Sequence, residues 1–356
     1  MAVPCPYVGQ PRHAKWRAAV GAVPRGTVDP TLPATLRITP RTRIVSAGSC
    51  FAQHVRAEIV RRGYTYHITE RAPASLSADA ADERGYGTFS ARYGNVYSAP
   101  QLLQLFTRAY GAFAPAEDVW ADGDRFVDPF RPFVEPDGFA SPDAVRADRE
   151  QHLAATRRAF EEAEVFVYTL GLTETWRNVH DGSVYPVCPG CGVASFDPAR
   201  YAFVNLDVAQ TVEALTAFLT RFAAVNPRAQ VVLTVSPVPL LATMSGRHVV
   251  EANTYSKSVL RVAAEMVRAT HPQVAYFPAY EIVTATHRTH DYIAGDGRTV
   301  TPAAVARVMD LFFQTYAGIP APPIAPAEPA LAAAERARVI CDEETALALL
   351  DAPGNA

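Results

Sequence analysis

Four short apolar, β-branched runs, Arg43 to Ala47, Glu164 to Leu170, Gln230 to Val235 and Val274 to Phe277, alternate with stretches of helical spacing, and this alternation constrains the fold more than any other feature of the chain. Such a pattern predicts a mainly parallel sheet covered on both faces by helices, a three-layer α/β/α sandwich of the α/β class. The expected helices run from Phe51 to Arg62, Ala99 to Tyr110, Ala147 to Ala163, Val208 to Ala224, Tyr255 to Thr270 and Pro302 to Tyr316. In sheets of this kind ligands bind beyond the carboxyl ends of the strands, where the strand-to-helix turns gather. Gly48-Ser49-Cys50, Gly171-Leu172-Thr173-Glu174 and Ser236-Pro237-Val238-Pro239 are all expected on that edge.

With 356 residues, 49% of them hydrophobic, the chain can bury a full core. Residues 1–317 are read as one main domain. Within it, about 75–145 is an insertion rich in Gly, Pro, Asp and aromatic residues, either a lid or substrate wall or a plain structural elaboration. Residues 318–356 form a Pro/Ala-rich linker and a C-terminal helix expected from about Ala330 to Leu350. A net charge of −3 with scattered basic residues gives no reason to expect nucleic acid or a membrane as partner. The first twenty residues carry Pro4, Pro6, Arg12 and Lys15 rather than an apolar signal core, and no stretch is long enough to span a bilayer, so cytoplasmic residence is the expectation. Five widely spread cysteines do not form a disulfide framework.

Ile44 to Gln53 is a short strand that turns on Gly48-Ser49-Cys50 directly into a helical pattern. A small-residue turn of this kind lifts one side chain above the sheet edge and aims the free N–H groups of the first helical turn at it. A Cys there feels the helix dipole, which favours thiolate and therefore a nucleophile. The plain alternative is an N-cap with a small packed Cys.

The string Ala47-Gly-Ser-Cys-Phe-Ala52 resembles the signature of the GSCFA family, placed near the SGNH/GDSL hydrolases. The likeness continues through Phe89 to Tyr97, Asp128 to Pro132, Thr169 to Trp176, Thr234 to Leu240, Thr254 to Arg261 and Tyr276 to Glu281. It implies an SGNH-hydrolase-like fold. Aligned on the glycine of the SGNH Gly-Asp-Ser block, Cys50 takes the nucleophile's place and Ser49 that of the Asp; a one-residue difference in the turn would exchange them. Tyr93-Gly94-Asn95 resembles the oxyanion-binding glycine block, with Asn95 as an added donor or, alternatively, a tight Gly-Asn turn. Thr173 and Glu174 stand where that group has Asn and Asp. Glu174 is expected to orient a His, hold Arg92 or Arg131, or cap a helix.

The last SGNH block, Asp-x-x-His, is where the chain departs from the pattern: Asp296-Gly297-Arg298-Thr299 keeps the acid and replaces the His. An acyl transfer without a base is hard to sustain near neutral pH. His248 is the first substitute, followed by His54, one helical turn past Cys50, and by His287 and His290. Ser256-Lys257 is expected to open a helix, with Lys257 meeting an anionic substrate group or standing in solvent. Arg92 and Arg131 are carboxylate or phosphate clamps, or surface ion pairs. Cys188-Pro189-Gly190-Cys191 lacks a second ligand pair, so no metal site is expected, and no phosphate-binding glycine loop argues for a nucleotide cofactor.

The resemblance thus implies a hydrolase or acyltransferase acting on a small-molecule or carbohydrate-linked ester or acyl group, with Cys50 or Ser49 attacking and His248 moving the proton. Glu174 or Asp296 would orient that His, and Gly94, Asn95 and Thr173 would hold the oxyanion. The alternative is a non-catalytic descendant of the fold that binds a small ligand in the same cleft.

Overall fold

In a computed structural model, residues 5–24, 26–285, 292–322 and 341–350 are described. In chain order β1 (Ile44–Gly48) leads into α1 (Phe51–Arg61), followed by α2 (Ala78–Glu83), α3 (Ala99–Ala109), the short strands β2 (Trp120–Asp122) and β3 (Arg125–Val127), and α4 (Pro142–Glu162). Then come β4 (Val165–Leu170), β5 (Glu174–Asn178), β6 (Val184–Tyr185), β7 (Tyr201–Asn205), α5 (Val208–Val225), β8 (Gln230–Val235), α6 (Val249–Thr270) and β9 (Val274–Tyr276). The last elements are α7 (Ala279–Thr284), α8 (Pro302–Ala317) and α9 (Asp342–Leu350). Two compact units result: Ile38–Tyr276 with Ala337–Ala356, and Met1–Arg37 with Phe277–Arg336.

In the larger unit the strands pair in the order β1-β4-β8-β9, all parallel, and the sheet is flanked by helices, consistent with the three-layer α/β/α arrangement that the sequence predicts. Every residue of β1 and β4 is buried, as a sheet covered on both faces requires. Register places Gly48 beside Thr169 and Thr169 beside Thr234, so the carboxyl ends of three strands form one edge.

Two helices start earlier than their apolar spacing indicates. Ser141 accepts the Ala144 N–H and Pro142 suits the first turn, so α4 begins at Pro142 instead of Ala147. His248 Nδ1 accepts the Val250 N–H at 3.2 Å, so α6 begins at Val249 instead of Tyr255. Ser256 and Lys257 therefore do not open a helix; both are buried in the body of α6. A second, antiparallel sheet, β6-β5-β7, follows the Gly171 turn. Its central strand, Glu174-Thr-Trp-Arg-Asn178, is mostly polar, which hides it from a reading based on apolar runs.

Between β1 and β4 the chain is riveted by buried charge. Asp128 is fully buried and receives Arg131 Nε at 3.0 Å and Arg149 Nε at 3.1 Å, with Arg108 Nη2 at 4.0 Å, which joins α3 and α4 to the loop after β3. These guanidinium groups hold its carboxyl well below the usual range against the opposing effect of burial. Arg92, 2% exposed, uses all of its side-chain N–H groups: on Arg84 O, Tyr86 Oη, Asp148, Val134 O and Glu135. It is neither a surface ion pair nor an open substrate clamp.

In the smaller unit the Phe277 ring packs against Phe312 and Tyr316 of α8, and Arg37 donates to Thr315 O at 3.1 Å. No described helix is long and apolar enough to cross a membrane.

Candidate active site

Gly48 ends β1 with φ +146°, and a Cβ there would lie 2.5 Å from Thr169 O, so only glycine lets the chain leave the strand this tightly. The Ser49 N–H donates to Thr169 O at 3.2 Å, and Cys50 stands at the N-cap of α1 without a side-chain cap bond. Ser49 and Cys50 are 2% and 6% exposed. Ser49 Oγ is buried with no hydrogen-bond partner, as are Thr169 Oγ1 and Thr234 Oγ1 on the neighbouring strands. The three hydroxyls thus lie close together at the carboxyl ends of neighbouring strands.

Across that edge lies the segment Gly94–Tyr97. Gly94 turns it at φ +66°. The Val96 N–H donates to Gly48 O at 2.8 Å, and Tyr97 O accepts the Gly171 N–H at 2.9 Å. A Cβ on Gly171 would sit 3.0 Å from Ser49 Cβ and 3.1 Å from Tyr97 Cδ1, so that glycine admits the close packing of all three chains. Asn95 is buried, and its Oδ1 accepts from Gln53 Nε2 of α1 at 3.1 Å. With its oxygen so occupied, Asn95 turns its side-chain amide, together with its backbone N–H, toward the Asp342 carboxyl.

Asp342 is the residue that sequence reasoning missed. It opens α9, is itself buried, and donates its N–H to Tyr97 Oη at 3.1 Å, while Cys341 Sγ lies 4.0 Å from the same oxygen. Burial pushes its carboxyl up to about 7, opposed by the two Asn95 bonds. Burial likewise pushes the Tyr97 phenol well above its ordinary range, helped by the charges of Asp342, Cys341 and Cys50, which thus converge on one side chain.

The other predicted residues take different places. Thr173 Oγ1 donates to Asn205 at 2.7 Å, and its N–H to Ser256 Oγ at 3.0 Å. Lys257 is neither in solvent nor at a helix start; its Nζ donates to Gly171 O at 2.6 Å and is buried there, which fixes the exit of β4. Glu174 meets none of its expected partners. It accepts from Thr243 Oγ1 at 2.5 Å and from the Met244 N–H at 3.2 Å, fastening the loop after β8. His248 is exposed and spends Nδ1 on capping α6. His54 packs edge-on against Phe51 at 5.8 Å, and burial pulls its pKa down despite nearby Glu58. His287 and His290 lie outside the described residues. Asp296, in the smaller unit, accepts from the Thr299 hydroxyl and from the Arg298 and Thr299 N–H groups of its own turn, which bring it down to about 2.

Arg131 gives Nε to Asp128 and Nη2 to Asp148, while its Nη1 is buried without a hydrogen-bond partner beside a cavity of about 50 Å³ that Gly94, Asn95 and Asp342 also line. Glu70 and His152 form a second buried pair, 2.8 Å apart, that the sequence did not single out. Glu70 is held at about 2: burial opposes this, and His152 with the Arg92 N–H outweighs it.

The GSCFA family model matches residues 43–312 of the chain. The chain belongs to the GSCFA family. The Gly48–Cys50 turn, Asn95 and Tyr97 of this GSCFA protein all lie within the matched part, and Asp342 lies beyond it. No curated protein matches it. Among solved structures it has a likeness to a Streptococcus pneumonia protein described as a candidate platelet activating factor, at 13% identity and a TM-score of 0.26. That match covers 47% of this chain and 64% of the other, and so spans less than two thirds of that protein.

Among the described residues no group of three or more His, Cys, Asp or Glu side chains is arranged to hold a metal ion. Cys188 and Cys191 are both free thiols, joined by a turn in which the Cys191 N–H donates to Cys188 O at 3.0 Å. The two thiols interact, so that one of the pair is lowered and the other raised. Iodoacetamide near neutral pH is therefore expected to alkylate one of them well before the other, because the thiolate is the reacting form. Peptide mapping of a time course reads the difference directly, and equal rates would contradict it.

Proposed function

We propose that this GSCFA protein is an SGNH-like hydrolase or acyltransferase that attacks an ester or other acyl group from the Gly48–Cys50 turn. One observation carries the reading: the segment that bears buried Asn95 is tied to the Gly48–Cys50 turn by the Val96 N–H on Gly48 O at 2.8 Å, and the Asn95 N–H and side-chain amide both donate to one carboxyl group, that of Asp342. Two fixed donors aimed at one oxygen-bearing group are what a tetrahedral oxyanion needs, and Gln53 holds the amide in that orientation before any substrate arrives.

Cys50 is the favoured nucleophile. A thiol near neutral pH needs less activation than a hydroxyl, and both described candidate bases are turned to other tasks, His248 capping α6 and His54 packed on Phe51. The Cys50 thiol loses its proton to solvent, and the thiolate sulfur then attacks the carbonyl carbon, placing negative charge on the carbonyl oxygen, which the Asn95 donors receive. Collapse breaks the carbon–oxygen bond, the departing alkoxide takes a proton from solvent, and a thioester is left; water or a second alcohol then attacks the thioester, gives its proton to solvent, and releases the acyl group with return of the thiolate. Carbohydrate-linked esters remain the substrate class that the family resemblance suggests.

Asn95→Ala is expected to lower the hydrolysis rate of an activated ester such as p-nitrophenyl acetate by about 100-fold, mostly in kcat, the usual cost of removing one oxyanion donor. An unchanged rate would remove the donors from the chemistry. The second reading, a non-catalytic ligand-binding cleft, is favoured by the positions of His248 and Asp296, each engaged in capping its own local structure. Absence of any esterase activity in the unaltered protein would favour it.

A further inference from the structure

The start of α9 is anchored at two points in the larger unit. Its polar anchor is Asp342, held by Asn95 and Tyr97, residues 245 positions away along the chain from Tyr97 to Asp342. Its apolar anchor, one helical turn on, is Ala346, which is 3% exposed and packs in a cluster with Trp120, Tyr185 and Tyr201. That cluster combines the β2–β3 hairpin with the antiparallel sheet, so the segment lies in a cleft whose walls come from separate parts of the chain.

The groups that hold Asp342 are uncharged: Asn95 donates its N–H and side-chain amide to the carboxyl, and the Tyr97 phenol oxygen accepts the Asp342 N–H. Arg92 and Arg131 line the adjoining cavity, yet the Asp342 carboxyl is held by Asn95 rather than by a guanidinium. Such a donor set suits the oxygen of a carbonyl or a weakly ionised carboxyl better than a fully charged anion. The cavity of about 50 Å³ that Asn95 and Asp342 line together has room for a few water molecules. The donors lie inside the part of the chain that the family model matches, residues 43–312, and the segment lies outside it. The docked segment is linked to the Gly48–Cys50 turn through two hydrogen bonds: the Asp342 N–H donates to Tyr97 Oη at 3.1 Å, and the preceding residue's N–H, that of Val96, donates to Gly48 O at 2.8 Å.

We propose that Asn95 and Tyr97 form a subsite for a carbonyl- or carboxyl-bearing group, that Cys341–Ala346 is its resident intramolecular occupant, and that this segment competes with substrate for the donors beside Cys50. The competition with substrate rests on the acyl-chemistry reading above; the occupancy of the subsite does not. Because burial raises the Asp342 carboxyl to about 7, the docked segment is held best at acidic pH and is loosened as the pH rises through that value. The titratable or charged groups around Asp342 are Cys341 and Glu343 on its own segment, Tyr97 across from it, and Glu83, Arg92 and Arg131 around the cavity.

The test uses the full chain with the segment undocked in two independent ways, Asp342→Lys at the polar anchor and Ala346→Glu at the apolar one, each checked for native circular dichroism. A labelled peptide of residues 341–350 is then added and its binding followed by fluorescence anisotropy, while Cys50 alkylation is timed by peptide mapping. The peptide is expected to bind both variants and not the unaltered protein, and to lose binding when Asn95→Ala is added. Cys50 is expected to react about tenfold faster in both variants, as for loss of a local closed state, and to be protected again by the peptide. Failure of the peptide to bind either folded variant, binding that Asn95→Ala leaves intact, or an unchanged Cys50 rate would each overturn the proposal. Neither readout needs an acyl donor, so failure here and failure of the acyl-enzyme reading are separate results.

Discussion

Asp128→Ala is expected to cost about 3–5 kcal/mol of stability, the range for removing one partner of a buried ion cluster and stranding the rest. The expectation follows from geometry: Asp128 is fully buried, and Arg131, Arg149 and Arg108 all point at it from different elements. Without the carboxylate, buried guanidinium charge is left uncompensated between α3, α4 and the loop after β3. Urea unfolding followed by tryptophan fluorescence measures the loss, since Trp120 and Trp176 lie in this unit. A change below about 1 kcal/mol, the scale of an exposed pair, would show that the cluster is hydrated.

The same cluster fixes a pH dependence. Asp128 is held well below the ordinary carboxyl range and Glu70 at about 2, so both are depressed in the folded state. Their contribution is therefore complete above the unfolded-state carboxyl range and is lost as the pH falls toward and below about 2. Asp128→Asn is expected to flatten the acid limb of the stability profile. A profile parallel to that of the unaltered protein would contradict the assignment.

Cys50→Ala carries the second large effect. If Cys50 forms the acyl-enzyme, its removal is expected to abolish covalent acylation and to lower turnover by about 1000-fold or more, as loss of a covalent nucleophile does elsewhere. Ser49→Ala, one position earlier in the same turn, is expected to leave acylation in place, because Ser49 Oγ is buried with no hydrogen-bond partner to activate it. The reverse pattern would exchange the two roles.

How much of this was legible in the sequence depended on whether the deciding contacts are local. β8 spans Gln230 to Val235 as read, and α1 begins at Phe51 as read, because a continuous β-branched run and a glycine turn into a helix are short-range signals. The start of α6 was read six residues late because a histidine side chain serves as its cap, a task usually given to Ser, Thr, Asp or Asn. Lys257 reads as a surface residue by type, and only the fold brings Gly171 O within reach of its ammonium. Asp342 gave no signal at all. In Asp342-Glu343-Glu344 it reads as an ordinary acidic first turn, and its partners, Asn95 and Tyr97, are far away in the chain. The missing Asp-x-x-His histidine was visible, whereas the tasks that occupy His248 and Asp296 required the structure.

The measurement that tests the central claim most directly is intact-protein mass spectrometry after incubation with activated acyl esters, on the unaltered chain and on Cys50→Ala, Ser49→Ala and Asn95→Ala. A single acyl adduct that persists in Ser49→Ala, forms slowly in Asn95→Ala and is absent from Cys50→Ala is the predicted result. An adduct that persists in Cys50→Ala, or one that forms at the unaltered rate without Asn95, would contradict the account.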